Sequence, residues 1–418
     1  MKVLLVSYLL DAKWGGAATA ALRLGQGLVE RGIEVVGVAS HDARQPRTVE
    51  QNGFRVHTFR PRNLYWVADK DNQSLPKKAL WQLVDTWNLH VYRHMRQVIR
   101  QERPDVVHVH KLRGLSPAVW TAAAAEGCPL IVQTCHDYEI ASPDGLLETA
   151  VGRLALRRHW ALRPYQAARA RAARAVDVVT APSRFTLETI TGLRFFEDAL
   201  ALVVPNTHGY RVAELPTAPP AANTDAAFRF LYLGRLETVK GIDLLLRAFA
   251  AIAADIPHAT LDVAGDGARA EALRGQYAAL PQVRFHGHVA GAAKDRLIAQ
   301  ADVLVMPSIV REVFGLSIAE AYAFGKPVLA ARIGGMPELV RPGHTGLLVE
   351  PDDAADLQQA LCALAAAPQR VRAMAPACLA EAHAYTLEAV TDGYLRAYEA
   401  GRPISAARSG QSRTHRRS

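Results

Sequence analysis

Short apolar runs alternate along the chain with segments whose apolar residues recur every three or four positions, the spacing of a helix with one buried face. In the first half, strand-like runs fall at 2–10, 34–40, 54–59, 106–111, 130–136, 178–183 and 201–206. Helical segments lie between them at 17–31, 77–102, 150–175 and 184–191. The second half repeats the theme, with strands at 228–234, 259–265, 283–288, 302–307, 327–332 and 346–350. Its helices fall at 241–254, 268–279, 291–300, 316–324 and 353–366. Short apolar strands separated by helices predict parallel sheets covered on both faces. Residues 214–224 (ELPTAPPAANT) are proline-rich and lack periodicity, which marks a linker. The pattern therefore predicts two doubly wound domains, with ligands at the carboxyl ends of the strands in a cleft. A final helix at 386–399 is expected to cross back to the first domain, and 402–418 to be disordered.

Composition narrows the class. A chain of 418 residues, half of them hydrophobic and 21% charged, suits a two-domain globular protein. No apolar run reaches the length of a membrane span. The opening MKVLLVSYLL reads as a first buried strand rather than a signal peptide, because Asp11 and Lys13 follow at once. Cys128, Cys135, Cys362 and Cys378 show no paired or metal-type spacing and read as reduced and buried, which fits a cytoplasmic protein. The net charge of +9 is concentrated in residues 1–210 and in the tail, while 211–401 is net acidic. A basic first half suggests an anionic partner such as phosphates, a lipid carrier or a membrane face. Nucleic acid is disfavoured, because no recognition motif accompanies the charge.

The densest chemistry lies in 311–350. Glu312 and Glu320 are separated by seven residues, on either side of a helix start at Phe314-Gly315-Leu316-Ser317 that follows an apolar strand. A glycine at a helix entrance exposes backbone N–H groups suited to phosphate. The two carboxylates suit hydroxyl-rich groups at the two ends of the same ligand, so the arrangement fits a nucleotide sugar. Gly234-Arg235-Leu236 ends a strand, and Lys240-Gly241 precedes the next helix. The two cations suit a diphosphate clamp, and equally a pair of solvated surface charges. Gly15-Gly16 opens the first helix as either an anion cradle or a simple tight turn.

Gly265-Asp266-Gly267 imitates a dinucleotide fingerprint, which raises an NAD-dependent oxidoreductase as an alternative. The region where a ribose-binding acid belongs reads Arg284 to Val289, with no acid until Asp295, and this disfavours it. Asp69-Lys70-Asp71 resembles a metal-holding acid pair but sits in a polar loop and reads as surface, so no metal is expected. His108 and His110 share a strand face and read as structural. His136 follows its strand at the end where ligands bind, and could donate to a sugar hydroxyl or phosphate. Segment 151–174 carries seven arginines and no acid, interleaved with Leu154, Leu156, Trp160 and Leu162. It reads equally as a peripheral surface for an anionic membrane and as a solvated helix.

Together these residues resemble the retaining glycosyltransferases of family four, of GT-B fold, across about residues 2–400. The most specific part is Glu312-x7-Glu320 with Phe314-Gly315-Leu316, then Gly325-Lys326-Pro327-Val328, Gly334-Gly335, Glu338 and Gly346. Gly15-Gly16, His136-Asp137-Tyr138, Pro182-Ser183 and Pro205-Asn206 match in order in the first half, in the manner of the bacterial surface-polysaccharide branch. The resemblance implies an α/β protein with two Rossmann-like domains facing across a cleft. These are an acceptor-side domain at 1–206 and a nucleotide-sugar domain at 207–385, followed by a returning helix at 386–401 and the basic tail at 402–418.

It also implies roles. Arg235 and Lys240 would bind the diphosphate, Glu320 the ribose, and Glu312 the donor sugar near the reacting carbon. Backbone N–H groups of Gly315 and Leu316 would hold the distal phosphate, with Gly234, Gly265 and Gly267 lining the donor site. His136 would contact the sugar or phosphate, and Gly15 and Gly16 would shape the acceptor loop. Ile309-Val310-Arg311 departs from the small or polar residues common before Glu312, which leaves the donor sugar open. The expected reaction is retaining, metal-independent transfer from a UDP- or GDP-linked sugar to a glycan or lipid-linked hydroxyl, without a further cofactor. A nucleotide-sugar epimerase would use the same clamp. The expected location is the cytoplasm, extending to the inner face of the membrane.

Overall fold

The computed structural model of the chain describes residues 1–11, 15–42, 45–67, 69, 73–218 and 227–414. It divides into two units, Met1–Asn206 with Val390–Ser418, and Thr207–Ala389. Of the expected surface motif 69–71, Lys70 and Asp71 lie outside the described residues, as does the linker stretch from 219 onward.

The first unit holds an eight-stranded sheet. In chain order its strands are β1 (Lys2–Ser7), β2 (Glu34–Ser40), β3 (Arg47–Gln51), β4 (Phe54–Phe59), β5 (Val106–Lys111), β6 (Leu130–Thr134), β7 (Val178–Ala181) and β8 (Leu200–Val203). Their spatial order is β3-β4-β2-β1-β5-β6-β7-β8. Every pairing is parallel except the edge pair β3–β4. The chain winds outward from β1 in one direction and then, from β5, in the other. The switch point thus falls between β1 and β5, where the flanking connections diverge and leave the strand ends open. The apolar runs of β1, β5 and β6 are almost wholly buried, as central parallel strands require.

The second unit has six parallel strands: β9 (Phe228–Leu233), β10 (Ala259–Ala264), β11 (Val283–Gly287), β12 (Val303–Met306), β13 (Val328–Ala331) and β14 (Gly346–Val349). Their order is β11-β10-β9-β12-β13-β14, which sets the switch point between β9 and β12. Alternation along β9 loads both faces. Phe228, Phe230 and Tyr232 join a core with Phe249 and Leu261, while Leu231 packs on the other side with Ile318 and Tyr322.

Several expected elements are corrected. The helix read at 77–102 is two helices, Leu75–Thr86 and Leu89–Glu102. Trp87 between them is extended, and Asn88 caps the second through Oδ1, which accepts from the N–H groups of His90 and Val91. The segment 150–175 likewise breaks into Ala150–Leu156, a 3₁₀ turn at Trp160–Leu162, and Arg163–Ala173, with Arg158 left-handed at φ 48°. Strand β3 was not anticipated, since RTVEQ carries one apolar residue and is mostly exposed on its edge. Of the cysteines read as buried, Cys128 and Cys362 are only partly so.

The last helix does not stop at 399. It runs Leu387–Thr414, so 402–414 is helical rather than disordered, and 415–418 of the expected tail lie outside the described residues. Gly401 sits against Leu130 and Val178, where a Cβ would collide, and the Ser405 hydroxyl donates to Pro129 O. These anchors hold the chain against the first sheet and carry the helix past Pro403, which lacks an N–H to contribute. Among the described residues, no helix is long and apolar enough to cross a membrane.

One close approach is checkable. Gly265 follows β10 with φ 149°, and a Cβ there would run into Gly234 O at the end of β9. Gly265→Ala should therefore lower stability by about 3 kcal/mol or more in urea denaturation. Unchanged stability would mean that the two strand ends do not meet as described.

Candidate active site

In the second unit the proposed donor residues gather around the β9–β12 switch point. Tyr232 on β9 donates its hydroxyl to Arg235 O (2.7 Å) and so fixes the turn that follows the strand. The Arg235 guanidinium is largely exposed and pairs with Glu237 at 2.6 Å. Lys240 takes a different partner, Glu312, with Nζ to Oε1 at 2.7 Å. The same Oε1 accepts from the Ser308 hydroxyl (2.7 Å). The backbone brings these groups together. Ile309 N–H donates to Val239 O (3.2 Å), tying the segment after β12 to the turn that bears Lys240. Gly335 N–H donates to Glu312 O (2.7 Å). Gly334, at φ 65°, lies where a Cβ would strike the Glu312 backbone. The Gly-Gly pair after β13 is thus a backing for Glu312, a role its sequence position did not disclose.

Gly315 precedes the helix Leu316–Tyr322, whose first residue is the proposed phosphate-binding Leu316. Glu320, on that helix, is buried and paired with Lys294 of the helix Gly291–Gln300 (2.8 Å). Lys294 and Ser308 were missed in the sequence. Ser308 lies only four residues before Glu312 but belongs to no spaced motif, and Lys294 is carried to Glu320 from another helix by the fold. Gly265 and Gly267 acquire a packing reason, since Cβ atoms there would meet the backbones of Gly234 and Leu236.

In the first unit, His136 follows β6 and is partly exposed. Its Nε2 lies 2.8 Å from His110 Nδ1, with the two rings stacked at 5.1 Å. His108 is wholly buried, with Nδ1 2.8 Å from the Tyr398 hydroxyl and Nε2 2.7 Å from Thr134 Oγ1. His108 therefore serves the seat of the last helix. His110, read as structural, is the hydrogen-bonding partner of His136. Lys111 bonds Asp137 (2.7 Å), and Glu139 Oε1 accepts from Leu112 N–H (2.6 Å). Burial, with Asp137 alongside, holds the Glu139 carboxyl above the usual carboxylate range. Gly15 caps and Gly16 begins the helix Gly16–Glu30, and among the described residues beyond their chain neighbours nothing stands within 4 Å of where their Cβ atoms would be.

The basic segment is divided in role. Arg169 is buried and pairs with buried Asp85 (3.3 Å), so it does not belong to a surface. Arg153, Arg157, Arg158 and Arg163 are exposed, along with Trp160 at 73%. Among the described residues, no group of three or more His, Cys, Asp or Glu is placed to hold a metal ion.

Comparison with known proteins follows the same division. Residues 15–207 match the family described as Glycosyl transferase 4-like domain, and 227–367 match Glycosyl transferases group 1. A D-inositol 3-phosphate glycosyltransferase of Actinosynnema mirum is 31% identical over 72% of this chain and 73% of its own. An uncharacterized protein of the cps region of Klebsiella pneumoniae is 27% identical over 82% of this chain and 88% of its own. The solved structure of Anabaena Alr3699/HepE in complex with UDP superposes with a TM-score of 0.71 at 20% identity, covering 96% of this chain and 100% of that one. The two parallel-sheet units and these matches define a glycosyltransferase of the GT-B fold. The chain belongs to the group 1, family-four-like glycosyltransferases. The dehydrogenase alternative is thereby set aside.

The buried imidazoles give a pH signature. Burial pushes His108 down to about 3 and His110 well below the usual imidazole value. The unfolded chain takes up these protons near pH 6.5 while the folded chain does not. Their stabilisation is therefore complete above about pH 7 and lost as pH falls, by about 1.4 kcal/mol per pH unit for each group. Thermal melts between about pH 8 and about pH 5 should show this acid limb, shallower in His110→Asn. A flat profile through that range would show that the imidazoles protonate in place.

Proposed function

We propose that this chain is a retaining glycosyltransferase that moves a sugar from a UDP- or GDP-linked donor to a hydroxyl of a glycan or lipid-linked acceptor in bacterial surface-polysaccharide or glycoconjugate synthesis. The observation that carries the reading is the Lys240–Glu312–Ser308 cluster beside the Gly315 helix start, at a switch point where a diphosphate would be met by fixed charge. The UDP bound by the Anabaena structure and the cps-region relative support the donor and the setting.

Charge dictates the chemistry. As the glycosidic bond breaks, negative charge grows on the leaving diphosphate. Lys240, Arg235 and the backbone N–H groups of Gly315 and Leu316 would stabilise it, and removing one such donor typically costs about 2.7–4 kcal/mol of barrier. These cations supply in fixed form the charge that a divalent metal supplies elsewhere, so the transfer proceeds without one. Glu312 would hold the donor sugar and Glu320 the ribose, with Ser308 and Lys294 orienting the two carboxylates. Retention follows a front-side path, in which the acceptor hydroxyl attacks as the diphosphate departs and gives its proton to it.

A thermal-shift panel with UDP, GDP and NAD tests the donor. A nucleoside diphosphate at about 100 times its Kd should add about 2.7 kcal/mol, and NAD nothing. Lys240→Ala should lower kcat by about a hundredfold or more with the fold intact. Normal turnover would refute the clamp, and conversion of the nucleotide sugar without an acceptor would turn the reading to an epimerase.

The protein acts in the cytoplasm, where nucleotide sugars are made, at the inner membrane face. Two stretches of the first unit support that placing. The helix Leu75–Thr86 exposes Leu75, Leu80 and Leu83 beside Lys77, and 151–163 exposes Val151, Leu154 and Trp160 among arginines. Apolar side chains among cations fit an anionic bilayer surface. The protein should co-sediment with vesicles containing anionic lipid at low salt, less so as Leu80→Asp/Leu83→Asp, and not with neutral vesicles. Equal recovery from both vesicle types would remove the membrane from the reading.

A further inference from the structure

His110 is 1% exposed on β5 and touches His136 through one hydrogen bond between ring nitrogens, Nδ1 to Nε2, at 2.8 Å. Both rings are held neutral by burial, His136 at about 4 with Lys111 adding to the effect. Between two neutral imidazoles one nitrogen donates and the other accepts, so the pair has two states. In the first, His110 Nδ1–H donates. His136 then carries its hydrogen on Nδ1, and His110 Nε2 is a bare lone pair. In the second, His136 Nε2–H donates. His136 Nδ1 is then bare, and His110 carries an N–H on Nε2.

The surroundings of His110 Nε2 separate these states. That atom is buried and, among the described residues, has no hydrogen-bond partner. The second state would strand an N–H donor there, the rarest defect among buried polar groups, whereas unused acceptor capacity is better tolerated. The first state is favoured.

We propose that His110 is a positioning residue that locks His136 in the Nδ1–H tautomer, so that His136 offers a ligand a hydrogen-bond donor and not a base. The ligand atom it suits is an oxygen acceptor, a phosphate oxygen or a sugar hydroxyl. This deepens, and rests on, the retaining transferase reading. A His136 that cannot accept a proton at Nδ1 leaves the diphosphate to take the acceptor's proton, as the front-side path requires.

The tautomer is measured without turnover. Long-range ¹H–¹⁵N correlation spectra of the intact, ligand-free protein, labelled with ¹⁵N-histidine, should show His136 protonated at Nδ1 and bare at Nε2. The signals are assigned by their loss in His136→Asn. Hydrogen on Nε2 would overturn the proposal whatever the variants do. His110→Asn keeps an N–H donor close to the place of Nδ1 and should preserve both the tautomer and kcat. His110→Phe removes the donor, should release His136 to the Nε2–H form, and should lower kcat by about tenfold or more, with KM for the acceptor little changed. Retention of Nδ1–H and of full kcat in His110→Phe would overturn it as well. A wild-type protein with the expected tautomer but no sugar transfer would sink the transferase reading alone.

Discussion

Parallel strands cannot turn back directly. Each must be followed by a crossover, and where the winding reverses, two neighbouring crossovers leave in opposite directions. In the second unit that reversal falls between β9 and β12. Arg235, Lys240, Ser308, Glu312 and Gly315 all occupy the turns that follow these two strands. The same reversal in the first unit, between β1 and β5, sets Lys111 and His110 at the end of β5 next to the residues that follow β6. The candidate site residues of each unit thus cluster near the point where its winding reverses.

The two places use different electrostatics. In the second unit, charges are matched in advance: Lys240 with Glu312, Lys294 with Glu320, Arg235 with Glu237. Each ion pair holds its carboxylate in a fixed position within the unit. In the first unit, burial suppresses charge on the imidazoles, and order comes from neutral hydrogen bonds whose direction depends on tautomer. Lys111 and Asp137 supply the local ionic pair beside them.

Close backbone approach links fold to site. Gly334 lets the loop after β13 press on the Glu312 backbone, and Gly265 lets the end of β10 meet that of β9. These glycines act through where they permit the chain to go. His108, Thr134 and Tyr398 play a comparable part for the last helix, which a hydrogen-bonded side-chain chain pins to the centre of the first sheet.

The sequence by itself determined the alternation of strand and helix, the parallel sheets, and the spacing of Glu312, Gly315 and Glu320, because these depend on neighbours within a few residues. It also marked His136 by its place after a strand. What it left unread was settled by long-range pairing. The edge strand β3 exists because β4 is beside it, not because RTVEQ is apolar. The helix breaks at Trp87 and Arg158 follow from caps and packing that override a continuous helical pattern. The last helix extends to Thr414 because Gly401 and Ser405 find a seat against strands more than two hundred residues earlier in the chain. Lys294 and His110 likewise meet Glu320 and His136 across 26 residues of chain, whereas Ser308 reaches Glu312 only four residues on. A side chain's own residue type fixes what it can bond, but only the tertiary fold decides which partner stands within reach.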